Sequence, residues 1–260
     1  MTHMLSKTNL LLAVPPTEMM AAQGFGLTLA HMAYRVGGGP HLFRANLPVP
    51  VRGGVMLIDD AGFDGRGDPA PFCQEVVREC AARGYTGVIC DFDRHLPLLG
   101  QVIAGLSPLL AKRGWPLYVP EPYGRYSATA KVLIPTALSG GSLQVRLQEA
   151  VQQYGAARVA LAVERSAEDF FLPSPNGQGI RLTQEELQQR IQEREPVIFF
   201  SNELCAHYFT YMNRQNGAHF ILFDDAASIR KKLHTARSLD IADALLLYPE
   251  VSDLLSEILR

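Results

Sequence analysis

Eight short apolar runs recur along this chain, at residues 9–14, 41–47, 54–58, 86–90, 115–119, 131–135, 158–163 and 244–248. Their recurrence constrains the fold more than any other feature. Each run is continuously apolar rather than alternating, the pattern of parallel strands buried on both faces. Amphipathic stretches lie between many of them, at 71–83, 98–112, 142–154, 224–239 and 251–259. In the first of these, Phe72, Val76, Val77 and Cys80 share one helical face, and Gly84 stops the helix. A further helix is expected at 183–193, where Thr183 and Glu186 have the spacing of a capping box. Eight strands alternating with helices over about 250 residues have the size and order of a TIM (β/α)8 barrel. An α/β fold of this type is therefore expected, as one domain over 1–260. A doubly wound open sheet is the alternative, because element order does not prescribe closure.

Two segments depart from the rhythm. Residues 17–36 are helix-like in part but are broken by Gly24 and Gly26. Residues 196–223 hold β-rich runs at 197–200, 207–211 and 219–223, with an Asn216-Gly217 turn before the last. That turn is a strong hairpin signal, so a small β-hairpin insertion at 196–223 is expected before the last βα unit.

The chain has 260 residues, 47% of them hydrophobic and 19% charged, with a formal net charge of −2. This composition supports a packed core and argues against disorder. It provides no basic footprint, so neither nucleic acid nor an acidic membrane is an expected partner. No apolar run approaches the ~20 residues of a membrane span. The apolar stretch at 10–14 is short for a signal peptide, and only Lys7 precedes it as a firm positive charge. A non-secreted protein is expected. Cys73, Cys80, Cys90 and Cys205 show no CxxC spacing and read as isolated buried thiols. No His pair has HExxH spacing, and nothing sets a spacing of oxygen ligands. No metal and no cofactor are expected.

Barrels of this type carry their active sites at the C-terminal ends of the strands. Those ends here supply Asp59 and Asp60, Asp91 and Asp93, Glu121, Glu164 and Glu250. Each acid taken singly also suits a helix N-cap or first turn. Converging on one mouth, they would raise one another's pKa, so one could stay protonated and act as an acid. Asp91 and Asp93 are spaced by two after an apolar strand, which turns both side chains to one side. Tyr123 and Tyr126 follow Glu121 in a mouth loop and are candidate stacking surfaces.

The stretch Tyr85-Thr86-Gly87-Val88-Ile89-Cys90-Asp91-Phe92-Asp93 resembles the fourth strand of the family-18 glycoside hydrolases, the chitinase-like group, whose motif is D-x-x-D-x-D-x-E. The stretches His207–Tyr211, Phe223–Leu233 and Arg158–Val163, the last followed by Phe170-Phe171-Leu172-Pro173, resemble that family's spore-germination and cortex-fragment-lytic branch. The likeness covers roughly residues 50–250. It implies a barrel directed at N-acetylglucosamine-containing glycan of the peptidoglycan or chitin type, and a cytoplasmic or spore-associated location. It also implies substrate-assisted retention, in which the acetamido oxygen attacks the anomeric carbon. By resemblance Asp91 would orient the acetamide and Asp93 would stand where the catalytic Glu belongs. Asp59, Glu121, Tyr123, Glu164 and Tyr248 would contact substrate, with Tyr248 in place of a Trp that floors the sugar; Leu247 stands where that Trp would be.

The departures matter as much as the matches. Asp93 is one methylene shorter than Glu. Thr86 and Ile89 replace the two earlier acids. The sixth strand, Val132-Leu133-Ile134-Pro135-Thr136-Ala137, has no Tyr to hold the acetamide. Weak or lost hydrolysis is therefore expected. The alternatives are a spore-coat-type structural or interaction protein on an inherited barrel, and an active glycosidase with an altered catalytic acid such as Glu121 or Glu164.

Overall fold

The computed structural model describes residues 8–45, 52–174, 177–213 and 217–260. Eight parallel strands form its centre: β1 (Asn9–Val14), β2 (Thr28–Gly37), β4 (Val55–Asp59), β5 (Val88–Asp91), β6 (Leu117–Pro120), β7 (Lys131–Pro135), β8 (Val159–Val163) and β14 (Asp243–Leu247). Each pairs with the next in that order. The circle closes because β1 pairs with both neighbours, in registers Asn9↔Asp243 and Leu11↔Thr28. The sheet is thus a barrel, and the open-sheet alternative is set aside.

Side chains alternate across the barrel wall, as the strand pleat requires. Leu11, Ala13, Ala30, Val55, Leu57, Ile89, Tyr118, Leu133 and Ala160 fill the interior. Their sequence neighbours, such as Leu12, Ile58, Val88 and Cys90, pack outward against the helices. Those helices are α2 (Pro69–Arg83), α3 (Pro97–Ala111), α4 (Leu143–Tyr154) and α6 (Ala226–Arg237), with shorter α1 (Met19–Gln23), α7 (Tyr248–Val251) and α8 (Leu255–Ile258). Between β6 and β7 the connection is a 3-10 helix, Glu121–Tyr126. Asp68 caps α2 by accepting from Ala70 N, and Gly84 ends it in the left-handed conformation (φ 70°).

The second barrel strand is a correction. Residues 41–47 were expected to supply it. Their described part forms β3 (His41–Arg44), an antiparallel edge strand on β2 outside the circle; residues 46 and 47 lie outside the described residues. The true second strand is β2, within the segment read as partly helical. The β-branched residues of β2, Thr28 and Val36, stand near its ends, and the Leu-Ala-His-Met-Ala between them carries no clear strand preference, so pairing with β1 and β4 decides its state.

The insertion lies between β8 and β14 and extends further than the hairpin. Strands β12 (Ala206–Asn213) and β13 (Gly217–Phe223) form that hairpin; Asn216 of its turn lies outside the described residues. They are joined by β9 (Ala167–Leu172), β10 (Ile180–Arg181) and β11 (Phe199–Ser201) in an antiparallel sheet of order β10-β9-β13-β12-β11. Leu187 and Ile191 of α5 (Gln184–Arg194) cover one face, against Phe209 and Ile221. Thr183 and Glu186 form the expected capping box at the start of α5.

A buried ion pair anchors this sheet to the barrel. Asp224, just past β13, accepts from Lys232 Nζ at 2.6 Å, Ser228 Oγ at 2.7 Å and Ser166 N at 2.8 Å. The Lys232 side chain is 1% exposed and that of Asp224 is fully buried. A second polar knot closes the opposite end of the barrel. There Asp243 accepts from Asn9 Nδ2 at 2.7 Å, from Tyr118 Oη at 3.0 Å and from Lys131 Nζ.

Candidate functional site

The pleat delivers Asp91 to the mouth. Ile89 points inward, so Asp91, two residues on, does the same, while Cys90 and Phe92 are buried outside the barrel wall. Asp59 lies beside Asp91 in register on β4. Its Oδ1 accepts from Ala61 N at 2.8 Å, which turns it into its own loop. Asp91 touches solvent through the mouth, but the surrounding protein strips much of its hydration. That burial, followed by the negative charges of Asp93, Asp59 and Asp60, pushes its pKa up to about 6. The expected result is a carboxyl 13C titration of Asp91 centred near pH 6, with a lower midpoint in Asp93→Asn because one repelling charge is gone. An unchanged midpoint would contradict the assignment of Asp93 as the leading charge.

Asp93 sits past the end of β5, exposed on the loop. Buried Asp60 holds that loop: its carboxylate accepts from Asp93 N at 3.1 Å, Arg94 N at 3.2 Å and Arg94 Nε at 3.1 Å. Asp60 is the positioning residue here, a role that sequence spacing does not signal because its partners, two backbone N–H groups and the Arg94 side chain, lie on the next strand's loop.

A cleft of about 270 Å³ opens at the mouth. Ala13, Leu57, Ala162, Leu245 and Leu247 line it, together with Asp91, Glu164, Arg165, Glu168, Arg181 and Glu250. Glu164 follows inward-facing Ala162 by two and so faces the mouth. Burial raises its pKa, as does Glu250, while Lys232 and Arg181 oppose the shift. Asp91 ends β5 and Glu164 follows β8, three strands further round the barrel, so the two acids enter the one cleft from separate parts of its wall. Glu250 is bound by Arg181 and by Arg165 N. Arg165, Glu168 and Arg181 went unread in the sequence because Glu168 and Arg181 reach the mouth only through β9 and β10.

Five of the expected site residues, Asp59, Asp93, Glu121, Tyr123 and Tyr248, are not brought to the lining of this cleft. Asp93 lies outside its lining. Glu121 pairs with Arg146 of α4, away from the lining. Tyr123 is buried, its hydroxyl donating to Arg94 O and accepting from Leu96 N, and its ring meets Phe92 edge-on at 5.8 Å. It packs the loop after β5. Tyr248 is also a correction: Leu247 lines the cleft, whereas Tyr248 is buried across the wall near Phe25. A one-residue offset puts the ring on the wrong face. Among the described residues, no group of three or more His, Cys, Asp or Glu is placed to hold a metal ion.

The fold is that of the chitinase-like barrels. No protein-family model matches the chain, and no curated protein matches it. Solved structures do. The chain is similar to the spore cortex-lytic enzyme SleL of Bacillus megaterium QM B1551 (TM-score 0.66, 15% identity, 97% of this chain and 74% of that one). It is similar to a chitinase from Chromobacterium violaceum ATCC 12472 (0.68, 13%, 96% and 98%). It is also similar to human YKL-39, described as a pseudo-chitinase with retained chitooligosaccharide binding (0.65, 8%, 97% and 97%). At these identities the likeness is one of fold. Among the described residues no helix is long and apolar enough to cross a membrane.

Proposed function

We infer that this protein binds glycan of the chitin or peptidoglycan type at the barrel mouth, with family-18 hydrolysis weakened or lost. The observation that carries the reading is the split between Asp91 and Asp93. Asp91 stands inside an open cleft with an apolar floor, where it can meet a sugar. Asp93, in the position of the catalytic acid, stands outside the lining on a loop tied down by Asp60. A reacting group misplaced by about 1 Å can lose on the order of 10²-fold in rate, and here the side chain is also a methylene short. Kinship of fold with a cortex-lytic enzyme supports a spore setting.

Calorimetry with chitin oligosaccharides and peptidoglycan fragments tests binding, and product mass tests cleavage. Binding without cleavage is expected of the natural protein, and Asp93→Glu is expected to gain measurable cleavage, about 10²-fold above it. Failure to bind any such glycan removes the reading. A second reading, an interaction protein of coat type, is favoured by the edge strand β11 and the residues before it. Val197, Ile198 and Phe199 there are 71%, 42% and 50% exposed. Self-association that Phe199→Lys abolishes, in the absence of glycan binding, would support it instead.

A further inference from the structure

We propose that the ligand extends beyond the mouth cleft into a side groove, where the hydroxyl of Ser166 bonds a neutral amide that the ligand carries. This rests on the glycan reading above and specifies what the glycan must bear. The groove adds about 380 Å³ and shares Ala137, Ser166 and Glu168 with the cleft, so the two are continuous. Leu138 and Ser139 line it from the segment after β7, and Gln178 and Leu222 line it from the insertion. The cleft alone, at about 270 Å³, falls just below the ~300 Å³ at which pockets for drug-sized ligands begin, which leaves room for about one sugar ring. The next polar contacts for a longer or substituted ligand lie in the groove.

Ser166 stands at the junction of the two spaces and is only 6% exposed. Its backbone is fully engaged: N donates to the Asp224 carboxylate and O accepts from Asp224 N, both at 2.8 Å. Its hydroxyl has no hydrogen-bond partner among the described residues. Unlike Arg165 Nε and His31 Nδ1, which are sealed, this oxygen keeps contact with open space, and the space that Ser166 lines is the cleft and the groove. A ligand that partners it recovers a hydrogen bond that the folded chain leaves unmade. A hydroxyl both donates and accepts, so it serves either the C=O or the N–H of an amide. Because Asp224 holds the Ser166 backbone at both ends, the hydroxyl is fixed before the ligand arrives. The groove also selects for neutrality. Among the described residues, Glu168 is the only charged side chain in its lining; the rest are hydroxyls, the Gln178 carboxamide, glycine backbone and apolar groups. A carboxylate there would face Glu168 with no cation in the lining, whereas an amide meets hydroxyls and carboxamide on its polar atoms and Leu138 and Leu222 on its apolar ones.

Two groups supply such an amide, the N-acetyl group of a second sugar and the first amide of a peptidoglycan stem. Calorimetry of the intact chain separates them with two pairs of probes: N-acetylglucosamine against its β-1,4-linked dimer, and N-acetylmuramic acid against N-acetylmuramyl-alanine amide. At least one pair is expected to show a gain of about tenfold or more on adding the amide, a gain that persists at raised salt because no charge carries it. The pair that shows it identifies the source. Ser166→Ala is expected to cut the gain by about threefold to tenfold. Ser139→Phe, which fills the groove from an exposed position, is expected to remove it while N-acetylglucosamine still binds. A gain in neither pair, or a gain unchanged in either variant, would overturn the inference while leaving the glycan reading standing. Failure of all four probes, of longer chitin oligosaccharides and of peptidoglycan fragments to bind would remove the two together.

Discussion

Lys232→Met is expected to destabilise the protein by about 3–5 kcal/mol, read as a lower midpoint of urea unfolding at unchanged slope. The side chain keeps its volume, so the loss is one of charge. Lys232 Nζ is the only cation on Asp224 among the described residues, and both side chains are essentially sealed from water. Removing the ammonium leaves a carboxylate in the interior with two neutral donors, Ser166 N and Ser228 Oγ, which cannot replace it. Lys232→Met combined with Asp224→Asn should recover much of the loss, because an amide can still serve Ser166 and Ser228 without a net charge. If the double variant is no more stable than the single one, the cost lies in packing and the pair is not its cause. The site should respond as well. Ser166 lines the cleft, and Lys232 also donates to Glu164 O at 3.5 Å, so a loosened anchor displaces the wall that carries Glu164 and Glu168.

Asp243→Ala is expected to cost about 2–4 kcal/mol while leaving ligand affinity at the mouth unchanged. The substitution strips the acceptor from Asn9, Tyr118 and Lys131 at once. The Tyr118 hydroxyl is buried and cannot turn to water, whereas Lys131 is partly exposed and can, which keeps the loss below that of a fully sealed pair. Asp243 begins β14 and therefore sits at the end of the barrel remote from the mouth, where side chains serve stability. Calorimetry and urea unfolding on one preparation separate the two effects. A change in affinity as large as the loss of stability would contradict this division.

Most of the barrel was legible because buried parallel strands leave a continuous apolar run, and β7 was read to the residue. β2 was not, since its Ala- and Met-rich run obeys partners rather than propensity. β9 and β10 were missed for a related reason: Phe170-Phe171-Leu172 runs into Pro173, and β10 is only two residues long, so neither shows a period. Of the site, counting by twos turned Asp91 and Asp93 to one side, and of these only Asp91 lines the cleft; Glu164 was read simply as an acid at a strand end. Glu121 and Tyr123 did not follow, because a 3-10 helix after β6 rotates them out of that count. The family likeness pointed to Asp93 for the acid's place but could not say that Asp60 would hold its loop outside the cleft lining.

The pairing of Asn9 with Asp243 has a consequence for how the chain is made. The first strand waits for a partner more than two hundred residues later. Until β14 leaves the ribosome, β1 keeps one edge unpaired and the seam stays open. The closing contact is about as non-local as this chain allows, which marks a slow final step in folding. The five-stranded insertion is synthesised before that step, so it can fold against α6 while the barrel is still a curved, unfinished sheet. A nascent chain arrested before residue 243 should therefore hold its insertion folded and its first strand open to proteases, chaperones or another strand edge.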